Sequence, residues 1–136
     1  MSNQSQTEAA GAPREPSGEI VIRMTAMPAD TNYNGDIFGG WLMSKMDLGG
    51  AVLARKFSSS RVVTVAVDGM VFRSRVVVGD SITCYARVVS VGRTSMKIHL
   101  EVWRDPFRDR DLLLVTEGVF TYVAIDDAGK PHPVKR

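Results

Sequence analysis

From residue 19 onward the large apolar side chains fall into regular patterns. EIVIRMTA (19–26) alternates well enough for a first strand. MPADTNYNGD (27–36) crowds Pro, Asp, Asn and Gly together and reads as a loop. The period then changes. IFGGWLMSKMDLGGAVLARKF (37–57) is long enough for about five helical turns, or ~30 Å. It is apolar on nearly every side, which predicts a buried helix, capped by Asp36 or an earlier loop residue. RVVTVAVDG (61–69) is a dense β-branched run, and VVVGDS (76–81) is a turn between extended segments. Residues 81–91 and 94–103 both alternate. In the second, Met96, Ile98, Leu100 and Val102 point one way and Lys97, His99, Glu101 and Trp103 the other. Val91-Gly92-Arg93 makes the link between them short enough for a hairpin. RDPFRDRD (104–111) is a charged connection in which Pro106 breaks any strand. Residues 112–125 form a last long strand, and 126–136 a turn and tail.

A strand, one long helix, then several strands joined mostly by hairpins is an α+β layout. The helix needs cover on most sides, so the sheet should curve around it. One small sheet cannot cover it all, and a second copy of the chain, most simply in a two-fold dimer, is expected to complete the burial. Residues 1–17 are rich in Ser, Gln, Glu, Pro, Gly and Ala, cannot bury enough surface to offset their ordering entropy, and read as a disordered tail. The domain is then expected over 18–131, with 132–136 as a C-terminal tail.

Composition narrows the function classes. The 136 residues fit one domain, 44% of them hydrophobic and 24% charged, as in a globular protein. A net charge of +2 is too weak for a nucleic-acid partner, which calls for a clustered basic face. No apolar run reaches the ~18 residues of a membrane span, and the N-terminus has no signal-peptide pattern. The single cysteine, Cys84, excludes an internal disulfide framework and fits a reducing cytoplasm. The two histidines, His99 and His132, show no ligand spacing, so no metal site is expected.

Asp47 is the main oddity. It sits mid-helix among Leu42, Met43, Met46, Leu48 and Val52, and no cation stands three or four residues away to pair with it. Gly40, Ser44, Gly50, Ala51 and Ala54 share its side of the helix and leave room beside the carboxylate. That room suits a substrate or a close partner backbone; the alternative is a solvent-facing Asp on a less buried helix. Gly39 and Gly40 open the helix, at a cost of roughly 1 kcal/mol each relative to Ala. In return they let a ligand reach the free N–H groups, which together with the helix dipole favour negative charge such as a developing oxyanion. Tight helix–strand packing is the other explanation. Gly40 and Asp47 lie two turns apart on one face. Arg61, Arg93 and the run Gly92-Arg93-Thr94-Ser95 offer cations, hydroxyls and backbone suited to a phosphate, although an Arg in a hairpin is most often simply solvated. His99 reads as cover for the sheet surface. No G-x-S-x-G elbow is present.

The runs ADTNYNGDIFGGWLMSKMDLGGAVLA, RVVTVAVDGMVF and VGDSITCYARVVSVGRTSMKIHLEVW resemble the YciA-type acyl-CoA thioester hydrolases of the hotdog superfamily, most specifically over residues 32–50. The resemblance implies a helix wrapped by a curved antiparallel sheet. It also implies two-fold dimers, commonly trimers of dimers, with active sites at the dimer interface. It places the catalytic carboxylate at Asp47 and the thioester carbonyl against the backbone N–H near Gly40. Asn32, Asp36 and the partner chain's Thr64 fall where the family lines its active site. Arg61 and Gly92, Arg93, Thr94 and Ser95 fall where it contacts the CoA nucleotide. FRSRVVVGD departs from relatives, which often carry a proline there, so no binding role is carried over to Arg73 or Arg75. The expected activity is hydrolysis of acyl-CoA to a carboxylic acid and CoA over a broad range of acyl chains, without a metal or redox cofactor. The competing expectations are a hotdog dehydratase or hydratase, which would place a His by the carboxylate, and a non-catalytic acyl-CoA sensor.

Overall fold

The computed structural model describes residues 14–134. Its elements are β1 (Glu19–Thr25), α1 (Gly39–Ser58), β2 (Arg61–Phe72), β3 (Ser81–Val91), β4 (Ser95–Arg104) and β5 (Leu113–Ile125), with a single 3-10 turn at Pro28–Asp30. The strands form one antiparallel sheet in the order β1-β3-β4-β5-β2. Hairpin links explain why β3, β4 and β5 are neighbours. The pairs β1–β3 and β2–β5 are long-range: α1 carries the chain across the sheet, so β2 joins the far edge beside the last strand. The helix touches all five strands. This is the helix-in-a-wrapped-sheet arrangement of a hotdog fold, and its class is α+β, as the pattern predicts.

The core lies between α1 and the concave face of the sheet. Met96, Ile98, Leu100 and Val102 are wholly buried, as their alternation requires. They meet Leu42, Met46, Leu53 and Ala54 from the helix, and Phe120 and Tyr122 from β5. Each large side chain so buried contributes roughly 1.5–3 kcal/mol.

The helix is less enclosed than its composition suggests. It buries one face, while Leu48 (58% exposed) and Val52 (47%) stand open, as do Val63, Val65, Val67 and Val71 on the edge strand β2. A single chain therefore leaves a long apolar edge and one face of the helix uncovered, as expected for a molecule completed by a second copy. The predicted cap also differs. Phe38 holds the N-cap position without any side-chain hydrogen bond. Asp36 instead takes an ion pair from Arg75.

The convex face of the sheet holds a second surprise, because Glu101 and Trp103 are buried there. Arg14 and Ser17, in a segment that composition alone assigns to a disordered tail, bind Glu101. The chain turns onto the sheet at Gly18, with φ +112°, where a Cβ would lie 2.4 Å from the Ala86 carbonyl oxygen. The Ser17 N–H and the Trp103 indole N–H donate to Glu101 Oε1 at 3.1 and 2.8 Å. Arg14 bridges Glu101 and Glu117, at 3.0 and 2.8 Å. The remainder of the expected tail, residues 1–13, lies outside the described residues, as do 135–136. At the other terminus the His132 and Val134 N–H groups donate to the Ala124 and Arg93 carbonyls.

Glu101 and Glu117 are direct cross-strand partners, an arrangement that like charges disfavour. Arg14 and Arg73 offset the repulsion, and His99 Nε2 lies 3.1 Å from Glu117. The ligand-type atoms of His99, Glu101 and Glu117 lie within 4.8 Å of one another. Sequence spacing misses this group because Glu117 comes from the next strand. The Arg14 guanidinium already supplies its counter-charge, so the group is an ion-pair network.

The Arg14 hydrogen bond holds the Glu117 carboxyl at about 2, well below its usual 4.5. A depressed folded-state value means that the stabilisation is complete above 4.5 and is lost as pH falls toward 2. Urea denaturation of the wild type should therefore show stability dropping across that window, and Glu117→Gln should flatten the drop. Identical pH dependence in both proteins would show that the network does not stabilise the fold.

Candidate active site

Asp47 emerges from the open side of α1, half-buried, and its carboxylate meets two hydroxyls from the sheet. Thr64 Oγ1 on β2 donates to Asp47 Oδ1 at 2.5 Å. Tyr122 Oη on β5 lies 2.8 Å from the Asp47 main-chain oxygen and 3.2 Å from Oδ1. Thr64 and Tyr122 are cross-strand partners in the β2–β5 ladder, so the register alone sets them side by side on the concave face. Burial and the adjacent Asp47 carboxylate push the Tyr122 phenol far up, so it stays a neutral donor. All of the hydrogen bonds to the carboxylate fall on Oδ1, and Oδ2 has no donor among the described residues.

The resemblance takes Thr64 from the partner chain; within the single chain its own Thr64 reaches Asp47. The room expected beside Asp47, for a substrate or a close partner backbone, is filled at Gly50 by the sheet. A Cβ on Gly50 would lie 2.2 Å from Tyr122 Oη and 2.9 Å from Leu100 Cδ1. Gly40 is exposed, and no atom comes within 4 Å of where its Cβ would stand. The Trp41 and Leu42 N–H groups donate to the Phe38 carbonyl at 3.1 and 3.2 Å; with no side-chain cap on α1, the N–H groups of Gly39 and Gly40 are the ones left available in the first turn.

Asn32 and Asp36 do not meet Asp47 through any hydrogen bond. The Asn32 side-chain oxygen accepts from the N–H groups of Asn34 and Asp36, at 2.9 and 3.1 Å, which shapes the loop leading into α1. Asp36 Oδ1 accepts from Arg75 Nε at 2.7 Å. Arg73 pairs with Glu117. The two arginines for which no role was carried over thus hold the loop and the outer sheet face.

The basic candidates gather at the opposite end of α1 from Gly40. Arg61 lies across from Ile125, and Ser95 across from Val123, so the start of β2 and the β3–β4 hairpin share one end of the sheet. Arg61 lines an open cleft of about 790 Å³ together with Arg55, Lys56, Ser60, Asp126 and His132. Gly92, Arg93, Thr94 and Ser95 are not among its lining residues. Arg93 and Gly92 are exposed beside that end, with the Gly92 N–H closing the hairpin onto the Ser95 carbonyl at 2.8 Å.

Residues 34–108 match the family model of the Thioesterase superfamily. The chain belongs to that superfamily. Within it, the chain is 55% identical over 124 residues to the acyl-CoA thioester hydrolase YciA of Salmonella typhimurium, covering 88% of this chain and 92% of that one. Among solved structures it resembles a hexameric thioesterase from Yersinia pestis, with a TM-score of 0.85 and 54% identity over 90% of this chain and all (100%) of the other. It also resembles a hexameric broad-specificity acyl-coenzyme A thioesterase, with a TM-score of 0.84 and 47% identity over 90% of this chain and 85% of that one. The matched residues include Asp47, Thr64 and the first turn of α1, while Tyr122 lies beyond them.

The residue that sequence reasoning missed is Tyr122. Its signal was indirect: two glycines in mid-helix, at 49 and 50, announce something pressing closely on the backbone. Gly50→Ala should therefore destabilise the protein by about 1–3 kcal/mol by overpacking, even though Ala is the better helix former. Unchanged or increased stability in urea would mean that Tyr122 does not press on the helix as described.

Proposed function

We propose that this chain hydrolyses acyl-CoA thioesters to a carboxylic acid and CoA, with Asp47 as the catalytic carboxylate. The observation that carries the assignment is the Asp47 carboxylate itself, anchored at Oδ1 and open at Oδ2, in a member of the thioesterase superfamily whose close relatives are acyl-CoA thioester hydrolases. Asp47 removes a proton from water as it adds to the thioester carbonyl carbon, or adds to that carbon itself to give a mixed anhydride that water then cleaves. The N–H groups near Gly40 receive the developing oxyanion. The carbon–sulfur bond breaks and CoA leaves as a thiolate, a group good enough that no strong general acid is needed. Under this chemistry neither a metal nor a redox cofactor takes part; CoA belongs to substrate and product.

The chain acts as a homo-oligomer, a trimer of two-fold dimers, in keeping with its hexameric relatives and with the uncovered valines of β2. The broad-specificity relative supports a wide acyl range. Among the described residues no helix is long and apolar enough to cross a membrane. We place the enzyme in the cytoplasm, which its single, buried thiol at Cys84 supports. A dehydratase is disfavoured by the placement of the histidines: His99 pairs with Glu117 on the convex face, and His132 lines the cleft at the far end of α1.

Thiol release from a panel of acyl-CoAs tests the assignment. Asp47→Asn should lower kcat by about 10²–10⁴-fold while acyl-CoA binding changes far less. A folded, assembled variant that keeps most of its kcat would place the chemistry elsewhere. Wild-type protein that binds acyl-CoA and releases no thiol would instead be a sensor.

Arg61 and Arg93 are proposed to bind the CoA nucleotide. Replacing either by Ala should raise KM more than it lowers kcat, because it removes binding common to the ground and transition states. The effect should shrink for short pantetheine thioesters, which lack the nucleotide. Equal losses on both substrate types would show that these arginines do not touch the nucleotide.

A further inference from the structure

We infer that Tyr122 is a positioning residue for the reaction: from beneath α1, its hydroxyl fixes the Asp47 backbone and carboxylate so that Oδ2 is the oxygen left to act. The inference rests on the proposed role of Asp47 and adds a residue that never touches substrate, since the Tyr122 side chain is wholly buried.

Three observations lead to it. First, the phenolic proton is shared between two oxygens of a single residue, the Asp47 main-chain oxygen at 2.8 Å and Oδ1 at 3.2 Å. A donor held between the main chain and the carboxylate of one residue restrains that residue's χ1 as well as its charge. Second, Thr64 donates to the same Oδ1 from the neighbouring strand. Two donors converging on one carboxylate oxygen define the plane of the group and leave the other oxygen unengaged. A carboxylate free to rotate would present either oxygen to water, and productive geometry would be correspondingly rarer. Third, the helix is built to admit this contact. Gly50 has no side chain where a Cβ would meet Tyr122 Oη at 2.2 Å. A glycine in mid-helix costs roughly 1 kcal/mol relative to Ala, so the close approach is retained against a local penalty.

The alternative is that Tyr122 is only core, its hydroxyl satisfied by whatever carbonyl lies nearest. The two roles separate in kinetics. Tyr122→Phe keeps the ring in its place and removes the donor. If the hydroxyl positions Asp47, kcat should fall about 10-fold, the scale of one hydrogen bond to a charged group. KM should stay within about twofold, because no contact to substrate is lost. In the Asp47→Asn background the same change should have little further effect, because the group it positions has already lost its function. Para-aminophenylalanine incorporated at position 122 keeps an N–H donor at the same point and should retain most of kcat, and it tests the inference even if the Phe variant assembles poorly.

Full kcat in Tyr122→Phe, alongside a dead Asp47→Asn, would overturn the positioning role and leave the proposed function standing. So would an undiminished 10-fold loss in the double variant, or a para-aminophenylalanine protein as slow as the Phe variant. A fully active Asp47→Asn would remove both the function as proposed and this inference.

Discussion

At residues 49 and 50 the helix has no side chains, and the sheet occupies the space they leave. A Cβ on Gly49 would lie 2.6 Å from Val21 Cγ2 on β1, and one on Gly50 would meet Tyr122 on β5 and Leu100 on β4. Consecutive residues therefore contact strands at both sides of the sheet's midline, which fixes how closely α1 lies and how far it is rotated about its axis. Successive helical residues are about 100° apart. Once positions 46, 49, 50 and 53 face inward, position 47 must stand at the margin of the buried face. Asp47 is thus near enough to the sheet to be gripped and near enough to the open side to meet a substrate. A helix turned by one residue would bury the carboxylate among leucines or send it wholly into water.

The local parts of this arrangement are legible in the sequence, and the long-range parts are not. The alternation of 96–103 fixes which side chains of β4 enter the core, and all four expected residues do. Asp47 stands out because helical spacing gives it no local partner. Its actual partners come from β2 and β5, whose register places Thr64 opposite Tyr122. No periodicity within either segment reveals that pairing. The burial of Glu101 and Trp103 escapes pattern reading for a related reason. Alternation puts them on the face opposite the core, and Glu101 is bound there by Arg14 and Ser17, in a short polar segment whose composition suggests no packing at all.

The entrance to α1 shows how resemblance and geometry divide the work. The resemblance implies that Asn32 and Asp36 line the site; within this chain both hold the loop. Asn32 accepts two backbone N–H groups, and Asp36 accepts from Arg75. Such a loop sets the direction in which the chain enters the helix, and so the aim of the uncapped N–H groups near Gly40. Arg75 is part of that arrangement through its ion pair with Asp36.

Exposed apolar residues run from the helix onto the edge strand. Leu48 and Val52 stand on the helix that carries Asp47, and Val63 and Val65 flank Thr64 on the edge strand. In a lone chain these face water, and Asp47 sits in a medium where a helix N-terminus and two hydroxyl dipoles have little effect. In the proposed two-fold assembly a second copy covers this edge and excludes water from beside the carboxylate. Electrostatic interactions there strengthen as the effective dielectric falls. The donors around Asp47 need no rearrangement to benefit, because Gly50, Tyr122 and Thr64 have already fixed them within one chain. Folding of the single chain thus sets the positions of the groups around Asp47, and the proposed assembly supplies the lower dielectric in which such groups interact more strongly.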